Sequence, residues 1–337
     1  MIADHNSMRA AVVIEEAGAK RIECRTVPRP SLAEGELLVR VHAAGLNRAD
    51  LAMNVGHFRT AGAALGHAIP GVEFAGEVVD IGEGVTGFSA GDRVMAMGQG
   101  AFAEFAKIHH RLVMRVPHTM PWTQAATAPV ALMTAYDALI TRAGLKAGES
   151  VLVQAASSGV GIIATQIARL NGAHPVMGTS SSESKLAALA AASLAPDISI
   201  DTSRQDTVEA VMAATEGRGS DVIIDMVGGP TLDVHLRAAA LRGRIVCVGR
   251  MGGARAQLDF DLLALRRLTL IGVTFRTRTL DEIAAIAAAT SSEVLPDAAA
   301  GRLRWPVDKA FPLERAAEAY QWMRSNSHLG KLVITPS

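Results

Sequence analysis

Val151-Leu152-Val153-Gln154-Ala155-Ala156-Ser157-Ser158-Gly159-Val160-Gly161-Ile162-Ile163-Ala164 is the stretch on which the fold turns. An apolar, β-branched run passes through a few small residues into a segment with apolar residues at helical spacing as far as Asn171. That order reads as strand, tight turn and helix. Small side chains in such a turn let the backbone approach a pyrophosphate, whose negative charge is favoured by the unpaired N–H groups and dipole of the helix start. Against the G-x-G-x-x-G fingerprint the chain reads Ala156-x-Ser158-x-x-Gly161, with Gly159 between, so only the third glycine is kept. A plain serine-capped helix with one close-packed glycine accounts for the same letters, and the surrounding chain decides between the two readings.

Downstream, apolar runs alternate with alanine-rich helical stretches, the pattern of βαβ units and a parallel sheet. The expected strands are 151–155, 174–179, 198–201, 221–226, 244–249 and 268–273, and the expected helices are 159–171, 182–192, 206–215 and 231–241. Six strands with these crossovers predict a doubly wound α/β sheet. Upstream, from Met8 to Pro117, short β-branched runs are separated by glycine-rich turns, which predicts a compact β domain. The tail from Asp281 is mixed, with a helix expected over 313–325 and a final strand over 331–335 whose partner cannot be read locally.

The chain has 337 residues, enough for about two domains. Lys+Arg and Asp+Glu number 33 each, so no summed field draws it to nucleic acid or to an anionic membrane, and a small molecule is the expected partner. Cys24 and Cys247 form no staple pattern, which fits a reducing cytoplasm. Met1 to Met8 lacks the apolar core of a secretory signal, and no apolar run reads as a bilayer span.

A cofactor with a free ribose 2′-OH usually meets an acid at the end of the second strand, about 20 residues past the glycines. Here that place holds Gly178-Thr179-Ser180-Ser181-Ser182, with no carboxylate before Glu183 and with Lys185 following. Hydroxyls and an ammonium suit a 2′-phosphate, so NADPH is the expected cofactor. The competing reading makes Lys185 a solvated lysine and Ser181 or Ser182 a plain helix cap.

With these residues in view, the chain resembles the medium-chain dehydrogenase/reductase superfamily, and within it the zinc-free quinone oxidoreductase branch. The resemblance rests on Ala43-Ala44-Gly45-Leu46-Asn47-Arg48-Ala49-Asp50, Pro70-Gly71-Val72-Glu73-Phe74-Ala75-Gly76, Val85-x-x-Phe88-x-x-Gly91-Asp92-Arg93-Val94, the Ser157-to-Gly161 turn, Phe275-Arg276 and Gly330-Lys331-Leu332-Val333-Ile334. It implies a GroES-like β domain over 1–128 and 274–337, a Rossmann domain over 129–273, an active site in the cleft, and homodimers or homotetramers. It further implies Asn47, Asp50 and Thr134 on the nicotinamide side, with Gly249 and Thr274, Phe275 and Arg276 in segments that line the cofactor; Ser157, Ser158, Gly159, Val160 and Gly161 of the turn, Gly178, Thr179, Ser180, Ser181 and Lys185 at the second strand end, and Val227 complete the expected cofactor-binding residues. The zinc-dependent members carry a cysteine where this chain has Asn47 and a histidine where it has Val72, and Val94 to Phe105 contains no cysteine, so no metal is expected.

Without a Lewis acid, reduction of an isolated ketone lacks stabilisation for the charge on its oxygen, whereas a quinone or enone spreads that charge by conjugation. A conjugated acceptor is therefore expected. Asn47 would steady the developing oxyanion and Asp50 would fix its loop. Tyr136 is a candidate proton donor whose competing reading is a packed aromatic, and Phe58 and His57 are candidates for the substrate pocket. An enone or enoyl reductase is the close alternative, and a non-enzymatic cofactor-binding protein is a third.

Overall fold

The computed structural model describes residues 6–16, 18–52 and 69–336. It divides into two compact units: the first runs to Val130 and resumes over Phe275–Ala299 and Pro306–Ser337, and the second comprises Ala131–Thr274 and Ala300–Trp305. The segment 300–305 thus leaves the tail and joins the second unit. Gln166 draws it there by donating from Nε2 to the Arg304 carbonyl (2.7 Å) and accepting from the Arg304 N–H (3.0 Å).

The strands of the first unit are β1 (Ser7–Glu16), β2 (Ala19–Pro28), β3 (Glu36–Leu46), β4 (Glu73–Ile81), β5 (Arg93–Met97), β6 (Phe105–His109) and β7 (Val113–Arg115). Those of the second are β8 (Val151–Val153), β9 (Val176–Ser180), β10 (Ile198–Asp201), β11 (Ser220–Asp225), β12 (Ala239–Cys247) and β13 (Thr269–Gly272), after which β14 (Val307–Pro312) and β15 (Lys331–Thr335) return to the first. The α-helices are α1 (Trp122–Ala125), α2 (Pro129–Tyr136), α3 (Gly159–Leu170), α4 (Glu183–Ala191), α5 (Thr207–Ala214), α6 (Leu232–Ala238), α7 (Phe260–Leu265), α8 (Leu280–Glu293), α9 (Leu295–Ala299) and α10 (Ala316–Ser325).

The second unit is a six-stranded sheet in the order β10-β9-β8-β11-β12-β13. Every neighbouring pair is parallel. In sequence terms this is 3-2-1-4-5-6, the doubly wound Rossmann order, and the direction of winding reverses between β8 and β11. Covered on both faces, β8 is apolar throughout, as parallel central strands are. Leu152, Met177, Ile200, Ile223 and Ile245 form its core. The helix expected over 231–241 stops at Ala238, because Ala239 already pairs with Ser220 of β11. Strand pairing there overrides the helical preference of three consecutive alanines.

In the first unit β3 is the hub, antiparallel to β4, β6 and β15. The last strand of the chain therefore closes onto the third, with Leu332 opposite Leu46 and Ile334 opposite Ala44. Leu37, Leu46, Phe74, Phe102 and Tyr320 are fully buried in the core beneath. Six elements here escaped the sequence reading: β2, β7, β14, α1, α8 and α9. Helix α8 did carry a start signal, since Thr279 and Glu282 form a reciprocal capping box.

Candidate active-site residues

The turn after β8 is bolted to the end of β9. Ala155 adopts a left-handed conformation (φ 51°), donating its N–H to Thr179 Oγ1 at 3.2 Å, while the Ala156 N–H reaches the Thr179 carbonyl at 2.8 Å. Buried and committed to the turn, Thr179 holds it from beneath. Ser158 caps α3 by accepting from the Gly161 N–H at 3.1 Å, which leaves the first-turn N–H groups of Gly159 and Val160 without intrahelical acceptors. A Cβ on Gly161 would lie 2.3 Å from the Ala155 carbonyl oxygen, and one on Gly178 would lie 2.7 Å from the Ala156 Cβ. These two glycines act by letting helix and strand close on the turn. Together the cradle, the donors and a twelve-residue helix dipole fit a pyrophosphate.

Beyond the turn, Ser157 Oγ lies 3.4 Å from Ser180 Oγ, Ser181 is exposed, and Ser182 caps α4 through the Lys185 N–H. Lys185 is half-buried in the first turn of that helix. The structure adds Arg204, which sequence reasoning missed. It follows β10, whose Asp201 pairs with Ser180, and its guanidinium grips the Glu183 carboxylate through two contacts of 2.9 and 2.8 Å. Only strand adjacency brings position 204 beside position 183.

At the reversal between β8 and β11 stands a second residue missed from sequence, Gln154. Its Oε1 accepts from the N–H groups of Met226 (3.2 Å) and Val227 (3.1 Å), tying the turn after β8 to the loop after β11. Asp225 supports the same loop, accepting from the Val227 and Gly228 N–H groups, with His235 Nδ1 at 3.5 Å from its other oxygen. Burial pushes the Asp225 carboxyl up, but His235 and the two N–H groups outweigh it and hold the group below its ordinary range. Gly249 packs on this loop, where a Cβ would meet the Met226 oxygen at 2.0 Å.

In the first unit, β3 ends at Leu46 and a 3-10 helix occupies Arg48–Ala52. Asn47 donates its N–H to Asp50 Oδ2 at 2.8 Å and accepts from the Asp50 N–H at 2.9 Å, so each residue closes the other's turn. The Asn47 side chain reaches a buried charged pair. Its Nδ2 donates to Glu73 Oε1 at 2.8 Å, and Lys331 donates to both Asn47 Oδ1 and Glu73 Oε1. The second Glu73 oxygen accepts the Val130 N–H at 2.9 Å. Glu73 is fully buried and Lys331 is 4% exposed. Gly45 makes room for them, since a Cβ there would lie 2.4 Å from Glu73 Oε1. Glu73 and Lys331 neutralise one another, which leaves Asp50 as the unbalanced acid. Burial pushes its carboxyl up to about 7, against the opposing pull of the Asn47 N–H and of Lys331. The buried Tyr320 hydroxyl, with no hydrogen-bond partner among the described residues, is raised by burial and by the charge of Asp50. The sequence signal for the pair was an acid and a lysine each heading an apolar strand.

Asn47 and Asp50 are thus brought together, as are the turn residues Ser157–Gly161 with Gly178–Ser181. Thr134 and Tyr136 are buried on α2 and belong to the second unit, followed by a π-helical segment, Asp137–Arg142. Thr274 is half-buried, Phe275 is buried beneath the Arg278 guanidinium, and Arg276 is exposed. His57 and Phe58 lie outside the described residues. Among the described residues no three His, Cys, Asp or Glu side chains converge on a cation position, and no helix is long and apolar enough to cross a membrane.

Two family models match: the alcohol dehydrogenase GroES-like domain over residues 33–118 and the zinc-binding dehydrogenase over 159–291. Human quinone oxidoreductase is 29% identical over 336 residues, 97% of each chain. A reducing polyketide synthase of Cochliobolus heterostrophus, PKS1, is 34% identical over 202 residues; the match covers 60% of this chain but only 8% of that much longer relative. Among solved structures, AibC superposes with a TM-score of 0.82 at 30% identity, covering 99% of this chain and 97% of that one. CurK enoyl reductase does so with 0.80 at 25%, covering 98% and 99%. The matched models, full-length similarity and strand order agree, and the chain belongs to the medium-chain dehydrogenase/reductase superfamily, in its quinone oxidoreductase branch.

Proposed function

We propose that the chain is an NADPH-dependent oxidoreductase that reduces a quinone or similar conjugated carbonyl without zinc. The observation that carries this reading is the bonding of half-buried Asn47 to the buried Glu73–Lys331 pair. Asn47 stands where zinc-dependent relatives have a cysteine, and neither its amide nor the Lys331 ammonium beside it is among the usual zinc ligands. A reduced nicotinamide, when bound, supplies the hydride. The turn of Ser157–Gly161 would hold its pyrophosphate, Ser180 to Ser182 with Lys185 and Arg204 its 2′-phosphate, and Asn47 would donate a hydrogen bond to the acceptor oxygen. With one amide and no metal to steady that oxygen, the acceptor must spread its own charge, as quinones and enones do.

The second reading, reduction of an enone or enoyl double bond, is favoured by the likeness to CurK enoyl reductase and to the polyketide synthase. Loss of nicotinamide absorbance separates the two, with NADPH and NADH compared side by side against a small quinone and a simple enone. Quinone-dependent oxidation of NADPH supports the first reading and enone-only oxidation the second, while tight NADPH binding with neither acceptor consumed favours a narrower acceptor or the non-enzymatic role. Metal analysis of the same active preparation tests the zinc-free claim.

We also propose a homodimer built through β13, an edge strand of the parallel sheet. Leu270 on that strand is exposed, and so are Leu241, Met251, Phe260 and Leu265 in the same unit. An uncovered strand edge with exposed apolar side chains suits a second copy. Cys24 and Cys247 are free thiols, which supports a reducing cytoplasm as its place.

A further inference from the structure

Asn47 has no freedom in how its amide is turned. An ammonium carries only donors, so the atom touching Lys331 is the carbonyl oxygen Oδ1; a carboxylate carries only acceptors, so the atom facing Glu73 is Nδ2. One Nδ2 proton is spent on the 2.8 Å bond to Glu73. The other faces the Gly45 carbonyl at 3.4 Å, beyond the range of a well-formed N–H···O bond. An ammonium on Oδ1 also draws density from the amide and strengthens its N–H groups as donors, as bonds in a chain polarise one another. Burial separates the roles. Asn47 is half-buried and open to a partner, whereas Lys331 is enclosed and donates to Asn47 and Glu73 inside the protein.

We propose that Lys331, paired with Glu73, is a positioning residue that fixes and polarises the Asn47 amide, so that its loosely held Nδ2 proton is presented to the oxygen of the acceptor. Nothing is transferred in this step; the amide keeps its proton and donates a hydrogen bond. The inference rests on the role proposed above for Asn47, and the test keeps the two apart.

Four variants of the full chain are compared for kcat and KM with NADPH and a small quinone, for NADPH Kd by fluorescence, and for melting temperature. Asn47→Ala removes the donor and is expected to lower kcat about 100-fold. The double variant Glu73→Gln, Lys331→Met removes the ion pair without stranding a buried charge, and is expected to lower kcat roughly tenfold while NADPH Kd and melting stay near wild type. The triple variant is expected to be no slower than Asn47→Ala alone, because Lys331 acts through Asn47. Lys331→Arg, which retains charge and donors, is expected to keep kcat above that of the double variant. A triple variant in which the two losses multiply overturns the proposal, as does a double variant with wild-type kcat or a Lys331→Arg protein no faster than the double variant. Wild-type kcat in Asn47→Ala is a different failure: it removes the reading of Asn47 itself, and the proposal with it.

Discussion

Gly161→Ala tests whether the cradle after β8 is built by close packing. The new Cβ would sit 2.3 Å from the Ala155 carbonyl oxygen and 2.8 Å from the Ala156 Cα, both backbone atoms. Ordinary C···O approach is about 3.3 Å, so α3 must back away by about 1 Å. The turn has little freedom to yield instead, since Ala155 is already in the left-handed region and its N–H and that of Ala156 are both tied to Thr179. Overpacking of this kind costs about 1–3 kcal/mol, of which the better helix propensity of alanine returns at most ~1 kcal/mol. For a unit of about 150 residues a net cost of about 1–2 kcal/mol lowers the melting temperature by roughly 2–8 °C. The same retreat draws the Gly159 and Val160 N–H groups off the pyrophosphate. A hydrogen bond to a charged group contributes about 1.5–3 kcal/mol, so NADPH affinity is expected to fall ten- to a hundredfold. Scanning calorimetry of the apo protein and fluorescence titration with NADPH measure the two effects. A variant that melts with wild type and binds NADPH within about twofold of it would refute the packing argument.

Three further expectations concern charge and assembly. The Asp50 carboxyl is raised to about 7 in the folded chain, so between pH ~4 and ~7 the folded state holds a proton that the unfolded chain has released, and stability falls as pH rises through that window. The slope is at most about 1.4 kcal/mol per pH unit. Asp50→Asn should remove that decline and gain on wild type from pH 5 to pH 8 in denaturant melts, and parallel pH curves would contradict it. Lys185→Ala is expected to weaken NADPH binding ten- to a hundredfold and leave NADH nearly unchanged, with Arg204→Ala acting in the same direction; equal losses for both cofactors would refute the 2′-phosphate assignment. Leu270→Lys should convert a dimer to monomers in light scattering, and an unchanged mass would move the interface elsewhere.

The Rossmann half was legible because its determinants are local. Val151–Val153 is apolar on both faces, Ser158 caps, Gly161 closes, and a buried parallel strand and its crossover helix announce themselves within thirty residues. Strand β2 was not legible: only Ile22 and Val27 are buried in ten residues, and its partner β1 supplies the rest. The helix expected to reach Leu241 failed for the same kind of reason, since pairing with β11 claims Ala239.

The sequence by itself determined the strands and crossover helices of the parallel sheet, the glycine that a tight turn requires, the serines that cap its helices and the absence of an acid at the end of the second strand, because each depends on neighbours a few positions apart. Which side chains meet was decided only by tertiary structure. Asn47, Glu73 and Lys331 come from three strand ends spread over most of the chain, and they converge because β15 closes antiparallel on β3, which also pairs with β4. Arg204 reaches Glu183 because β10 lies beside β9. A buried charge is tolerated only where its partner is assembled around it, and no local pattern records where that partner will be.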